Sequence, residues 1–101
     1  MAQFDVYKNP DISTVDEFPY LLDIQHDTHH RLRSRLVVPL SMMLKPMTHL
    51  TPVFEIEGRD VMMSTMEMTS ASPDIFGEFV VNIKEHRTTI VDALDFLVNG
   101  F

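Results

Sequence analysis

The chain has 101 residues and a mass of 11.7 kDa, the size of a single domain with one modest core. Fifteen acidic residues against eight basic ones give a formal net charge of -7, which works against a nucleic-acid footprint and against an anionic membrane surface. Cysteine is absent, so disulfides, thiolate nucleophiles and Cys-type zinc sites are excluded. No run reaches the ~18 apolar residues of a transmembrane helix. The opening Met1-Ala2-Gln3-Phe4-Asp5 has neither the basic nor the apolar region of a secretory leader, so a cytoplasmic protein is expected.

Phe4, Val6 and Lys8 alternate with Asp5 and Tyr7, which predicts a short strand beginning almost at the first residue. Asn9-Pro10-Asp11 ends it with turn chemistry. Residues 11–18 are polar and read as a loop with at most a marginal edge strand. Tyr20 to Gln25 reads as a second strand with Leu22 and Ile24 on one face, closed by His26 to His30. Arg35-Leu36-Val37-Val38-Pro39-Leu40 is the best strand pattern in the chain. Pro39 cannot donate a ladder hydrogen bond and is expected at an edge, a bulge or the strand's end.

Residues 41–52, with Pro46 and Pro52, read as a surface connection. Val53 to Ile56 and Val61 to Met63 flank Glu57-Gly58-Arg59-Asp60, the signature of a hairpin with Gly58 in the turn. Ser64 to Ser70 alternates as a further strand, stopped by Pro73. A C-terminal helix is capped by Asn82, with Glu85 in the place of a variant capping box. Ile90, Leu94, Leu97 and Phe101 make its apolar stripe, with Ala93 and Val98 beside them, and Gly100 ends it. The class is α+β, mainly β, with all of 1–101 in one domain.

The chemistry-bearing clusters are sparse. His26, His29 and His30 stand close in sequence, but a solvated loop explains them better than a metal site, and no metal is expected. There is no Gly-x-Ser-x-Gly elbow and no Gly-rich phosphate loop, because Gly58, Gly77 and Gly100 are far apart. Asp16-Glu17 and Asp92 with Asp95 read as solvated carboxylates. Met62, Met63, Met66 and Met68 read first as core. An apolar residue at position 101 points to docking in a dimer interface or on a partner. The residues alone therefore describe a non-enzymatic, acidic, self-associating interaction protein without catalytic residues or cofactors.

Five segments in order carry a resemblance: Gln3-Phe4-Asp5-Val6-Tyr7, Asp23-Ile24-Gln25-His26-Asp27, Arg35 to Leu40, the Met62–Thr65 and Met68–Ser70 pair, and Ile90 with Ala93 to Leu97 and the closing Gly100-Phe101. Together they resemble the CcdB family of bacterial toxins from type II toxin–antitoxin pairs. The resemblance implies an SH3-like small antiparallel barrel with an additional small sheet and one C-terminal helix, acting as a homodimer. It implies a poison of DNA gyrase that grips the A subunit on cleaved DNA. It further implies neutralisation by a CcdA-like antitoxin, and repression of the shared operon with DNA met only through the antitoxin or gyrase.

On the same resemblance, the gyrase-binding residues are Val98, Asn99, Gly100 and Phe101, with Thr28, His29, Arg87, Thr88 and Val91. The antitoxin surface falls at Lys8, Asn9 and Asp11 and along the 41–46 connection, at Ser41, Met42 and Lys45. Asn99 stands where well-known members carry an aromatic, and Thr28 and His29 where many carry aliphatic residues. Asn99 cannot stack on an arginine of the target, so Phe101 supplies the apolar contact, or gyrase affinity is weak, or the target differs. A MazF-type endoribonuclease toxin shares the fold class, but eight basic residues and a net charge of -7 oppose RNA approach.

Overall fold

The computed structural model describes residues 1–29, 31–43, 45 and 47–100. Its strands are β1 (Asp5–Lys8), β2 (Tyr20–Asp23), β3 (Arg35–Ser41), β4 (Val53–Ile56), β5 (Arg59–Met63), β6 (Thr69–Ala71) and β7 (Phe79–Asn82), followed by helix α1 (Arg87–Asn99). They form one antiparallel sheet in the order β4-β5-β3-β2-β1-β7, with β6 also paired to β3. The expected class, α+β and mainly β, is what the chain adopts, a curled antiparallel sheet with a C-terminal helix.

The core fills the concave side. Val6, Tyr20, Leu22, Val38, Leu40, Phe54, Ile56, Val61 and Met63 meet Ile90 and Ala93 of α1 there. All four residues of β2 are buried, on both faces, so the strand sits deeper than simple alternation implies.

Pro39 lies inside β3 and not at an edge or an end. On one side β3 pairs β2 throughout, with Leu21 opposite Pro39. On the other it pairs β6 through Arg35–Val37 and β5 through Leu40 and Ser41. Pro39 falls in the gap between these two partners, where its carbonyl accepts from Ser64 N–H at 3.0 Å. The missing N–H faces that gap, so no ladder bond is lost.

Several local expectations are corrected. Phe4 does not begin β1; its φ of +73° places it in the left-handed region. From there its N–H donates to Asp23 O at 2.6 Å and its carbonyl accepts from Ile83 N–H at 3.0 Å. Residues 11–18 are the expected loop, made of turns, without the marginal edge strand. Residues 64–70 are not one strand: Thr65–Glu67 is a 3-10 turn, and β6 begins only at Thr69. β7 was not anticipated. Its Phe79-Val80-Val81 run has ordinary strand character, but it is short and follows a Pro–Gly-bearing stretch.

Asn82 ends β7 and does not cap α1. Its Oδ1 accepts from Lys84 N–H at 2.9 Å, opening the 3-10 turn Lys84–His86 that leads into the helix. The apolar stripe of α1 is buried at Ile90 and Ala93 and half-buried at Leu94, whereas Leu97 and Val98 are exposed. The hairpin is as expected. Glu57 and Gly58, at φ +53° and +76°, make a two-residue turn whose left-handed pair suits the strand twist.

Candidate functional site

The helix supplies a coherent outer face. At about 100° per residue, Arg87, Thr88, Val91, Val98 and Asn99 fall within a sector of about 120°. Ile90 and Ala93 occupy the opposite side and are buried. Arg87, Thr88, Val98 and Asn99 are exposed and Val91 is half-buried. Gly100, at φ +78°, terminates the helix by donating its N–H to Phe96 O at 2.9 Å. Phe101, the residue on which the tail expectation centred, lies outside the described residues, as do His30, Leu44 and Pro46.

Thr28 and His29 are exposed on the 3-10 turn Asp27–His29. Gln3 links this turn to the start of α1. Its N–H donates to Asp27 Oδ1 at 2.9 Å, and its Oε1 accepts from Arg87 Nη1 at 3.0 Å. Arg87 also lies over the Phe4 ring, 5.5 Å from the centroid. The turn therefore joins the N-terminal end of the helix. The other end, about 18 Å along the axis, meets a different neighbour. A concavity of about 430 Å³ is lined there by His49, Asp92, Asp95, Phe96 and Asn99, with the His49 and Phe96 rings 6.1 Å apart. Of the nine expected gyrase contacts, the eight among the described residues thus lie along the helix, at its Gly100 end and on the turn beside its start.

The two halves of the expected antitoxin surface are neighbours. Asn9 and Asp11 line a concavity of about 380 Å³ with Phe18, Leu21, Pro39 and Ile75. Ser41, Met43 and Lys45 line a shallower one of about 210 Å³ with Phe18 and Met62. Phe18 is common to both. Backbone bonds fix this join: Met42 N–H donates to Glu17 O at 2.8 Å, and Asn9 N–H to Pro19 O at 3.0 Å. Asn9 Nδ2 adds bonds to Thr14 Oγ1 and Phe18 O, both at 2.9 Å. Asp11 accepts from Ser13 Oγ at 2.6 Å and Ser13 N–H at 2.9 Å, and these bonds hold its carboxyl below its ordinary range. Lys8 and Met42 are exposed beside these concavities.

Sequence reasoning did not single out Gln3, Phe18 or His49. Nothing in the local pattern marks Gln3 as a bridge. Phe18 carried a faint signal, an aromatic inside a polar loop.

Among the described residues the histidines do not converge. His26 and His29 rings are 6.4 Å apart, His26 Nδ1 accepts from Thr28 N–H at 3.0 Å, and among the described residues no three metal-ligating side chains come together. Asp92 and Asp95 are exposed, as solvated carboxylates should be. The buried ionisable groups are structural. Asp5 accepts from Ala2 N–H at 2.8 Å, Tyr7 Oη at 3.0 Å and Asn82 Nδ2 at 2.9 Å. Burial, aided by the Asp5 carboxylate, pushes the Tyr7 phenol well above its ordinary value. The methionines divide. Met63 is core and Met68 packs against it, while Met66 is exposed. No helix of the described residues is long and apolar enough to cross a membrane.

No curated protein matches the chain at a significant level. The family model described as CcdB protein matches residues 3–100, almost the whole chain. All but Phe101 of the segments that carried the resemblance fall within that match, and the chain belongs to the CcdB family, the toxins of toxin–antitoxin pairs.

Proposed function

We propose that this chain poisons DNA gyrase by gripping the A subunit while gyrase holds cleaved DNA. The observation that carries the reading is the alignment of Arg87, Thr88, Val91, Val98 and Asn99 on one outward helix face ending at Gly100. The reading extends to Phe101 through the family resemblance, and Thr28 and His29 flank the start of the helix face. No catalytic residue or cofactor takes part, and the action takes place in the cytoplasm. The chain works as a homodimer, a reading supported by the exposed apolar side chains of Leu36, Met66 and Leu97. A CcdA-like antitoxin neutralises it across the paired concavities that meet at Phe18, reached from Lys8, Asn9, Asp11, Ser41, Met42 and Lys45. Together the two proteins repress their operon, with the antitoxin supplying the DNA contact.

The test is a cleavage assay. Purified protein is mixed with gyrase, supercoiled plasmid and ATP, the reaction is stopped with detergent and protease, and linear DNA is scored. Accumulation of linear plasmid is expected. Its absence at micromolar protein would sink the gyrase reading. Cleavage of RNA in place of DNA would replace it with the MazF-type endoribonuclease.

A further inference from the structure

Two adjacent methionines follow β3, Met42 at 37% exposed and Met43 at 50%. Met63 is fully covered. We propose that Met42 and Met43 form an oxidisable modification site whose conversion to sulfoxides leaves the fold intact and weakens antitoxin docking. The proposal rests on the antitoxin reading given above.

The chemistry needs only a peroxide. A thioether lone pair attacks one peroxide oxygen and the O–O bond breaks. Hydroxide leaves and takes the proton from the new sulfur-bound hydroxyl, so sulfur is oxidised by two electrons while hydrogen peroxide is reduced to water. The product is a polar, chiral sulfoxide in place of a flexible apolar side chain. Methionine suits an adaptable contact surface for the very property that oxidation removes. Met43 lines the concavity with Phe18, Met62 and Lys45, so the change falls inside the proposed docking surface.

The fold tolerates the change because the thioethers do not hold the connection. Met42 N–H is bonded to Glu17 O at 2.8 Å and Met43 N–H to Ser41 Oγ at 2.9 Å. These backbone bonds survive sulfur oxidation. Met63 lies in the core cluster, with Leu40 as its cross-strand partner, and serves as an internal control.

The experiment titrates the chain with hydrogen peroxide and maps sulfoxides by peptide mass. It then measures binding of a synthetic CcdA toxin-binding segment to the reduced and oxidised forms, beside the reduced and oxidised forms of the variant M42L/M43L. Sulfoxide is expected at Met42 and Met43 at least about tenfold faster than at Met63, with an unchanged melting curve. Peptide affinity should fall about tenfold on oxidation in the parent, whereas peroxide should not change the double variant's own affinity. Equal affinity in both forms of the parent, an equal loss on oxidation in the double variant, or melting at the first sulfoxides would each overturn the proposal. Failure of the peptide to bind the reduced chain would instead remove the antitoxin reading beneath it.

Discussion

Arg35 and Asp23 face each other across β3 and β2 with both side chains withdrawn from water, and Arg35 donates through Nε at 3.0 Å and Nη2 at 2.6 Å to the same carboxylate oxygen. The other oxygen accepts from Gln25 N–H at 3.0 Å. Such a pair adds little net stability over a well-packed apolar pair, but removing one partner strands a buried charge. Arg35→Ala is therefore expected to cost about 3–5 kcal/mol in chemical denaturation. A loss below about 1 kcal/mol would show that water reaches Asp23.

The same carboxyl titrates unusually. Burial pushes the Asp23 pKa above its ordinary 3.8, against the opposing pull of Arg35 and Gln25. Between 3.8 and that raised native value, the folded state holds more protons than the unfolded one, so this group favours folding as pH falls. The stability difference between the parent and Asp23→Asn should shift toward the parent as pH is lowered through that window. A shift of opposite sign in paired urea melts would mean that the Arg35 pull wins.

Gly77 marks a close backbone approach. A Cβ there would stand 2.6 Å from Lys8 O, the atom that Gly77 N–H bonds at 2.9 Å. Neither backbone can give way without loosening the β1–β7 pair. Gly77→Ala should destabilise the protein by about 1–3 kcal/mol, read as a lowered melting midpoint. An unchanged midpoint would show that β7 is loosely attached.

Tyr20 anchors the hairpin tip. Its Oη donates to Glu57 Oε1 at 2.6 Å and accepts from Arg59 Nη2 at 2.9 Å, and the Arg59 guanidinium lies over its ring. Tyr20→Phe keeps the ring and returns both partners to water, for a cost of about 1 kcal/mol. Gly58→Ala meets no atom within 4 Å, so only the left-handed backbone opposes it, at about 1–2 kcal/mol. Additive losses in the double variant are expected, because the two act on different terms.

Gln3 offers a test of site geometry without touching the helix. Gln3→Ala removes the acceptor for Arg87 and the Nε2 bond to Ile24 O at 3.2 Å, leaving the backbone bond to Asp27. The stability loss should stay near 1 kcal/mol, since these groups are partly wet. If Arg87 contacts gyrase, inhibition should weaken more than stability does. Parallel loss of both would confine Gln3 to a structural role.

The tail carries the last prediction. Gly100 breaks the helical register before position 101. Phe101→Ala should therefore leave the melting midpoint almost unchanged while toxicity is lost. If residue 101 were core, the loss would reach about 1.5–3 kcal/mol. Asn99→Trp, on the exposed face, should give equal or stronger gyrase inhibition at unchanged stability. Full toxicity in Phe101→Ala would move the contact to Arg87, Thr88 and Val91.

Local chemistry made much of the molecule legible. The β-branched run of β3, the Gly58 turn and the Ile90–Ala93–Leu94 helix face follow from propensity, left-handed permissiveness and helical period, all of which act over a few residues. The family resemblance was equally local in origin, resting on segments such as Arg35 to Leu40. Arg87, Thr88, Val91 and Asn99 were named through the resemblance, and the folded helix places them on one face.

Tertiary structure decided what depends on residues far apart in sequence. Pro39 sits inside a strand because β5 and β6 leave a gap beside it. Asn82 belongs to a strand because β1 needed an outer partner, and its side chain reaches back to Gln3 O and Asp5 across the sheet. Phe4 takes a left-handed backbone because Asp23 and Ile83 claim its two hydrogen-bonding groups. Gln3 meets Arg87, and Phe18 joins Asn9 to Ser41, only once the chain has folded. Propensity and period carry no information about a partner 84 residues away, so sequence alone could place the elements but not the contacts that hold Gln3 to Arg87.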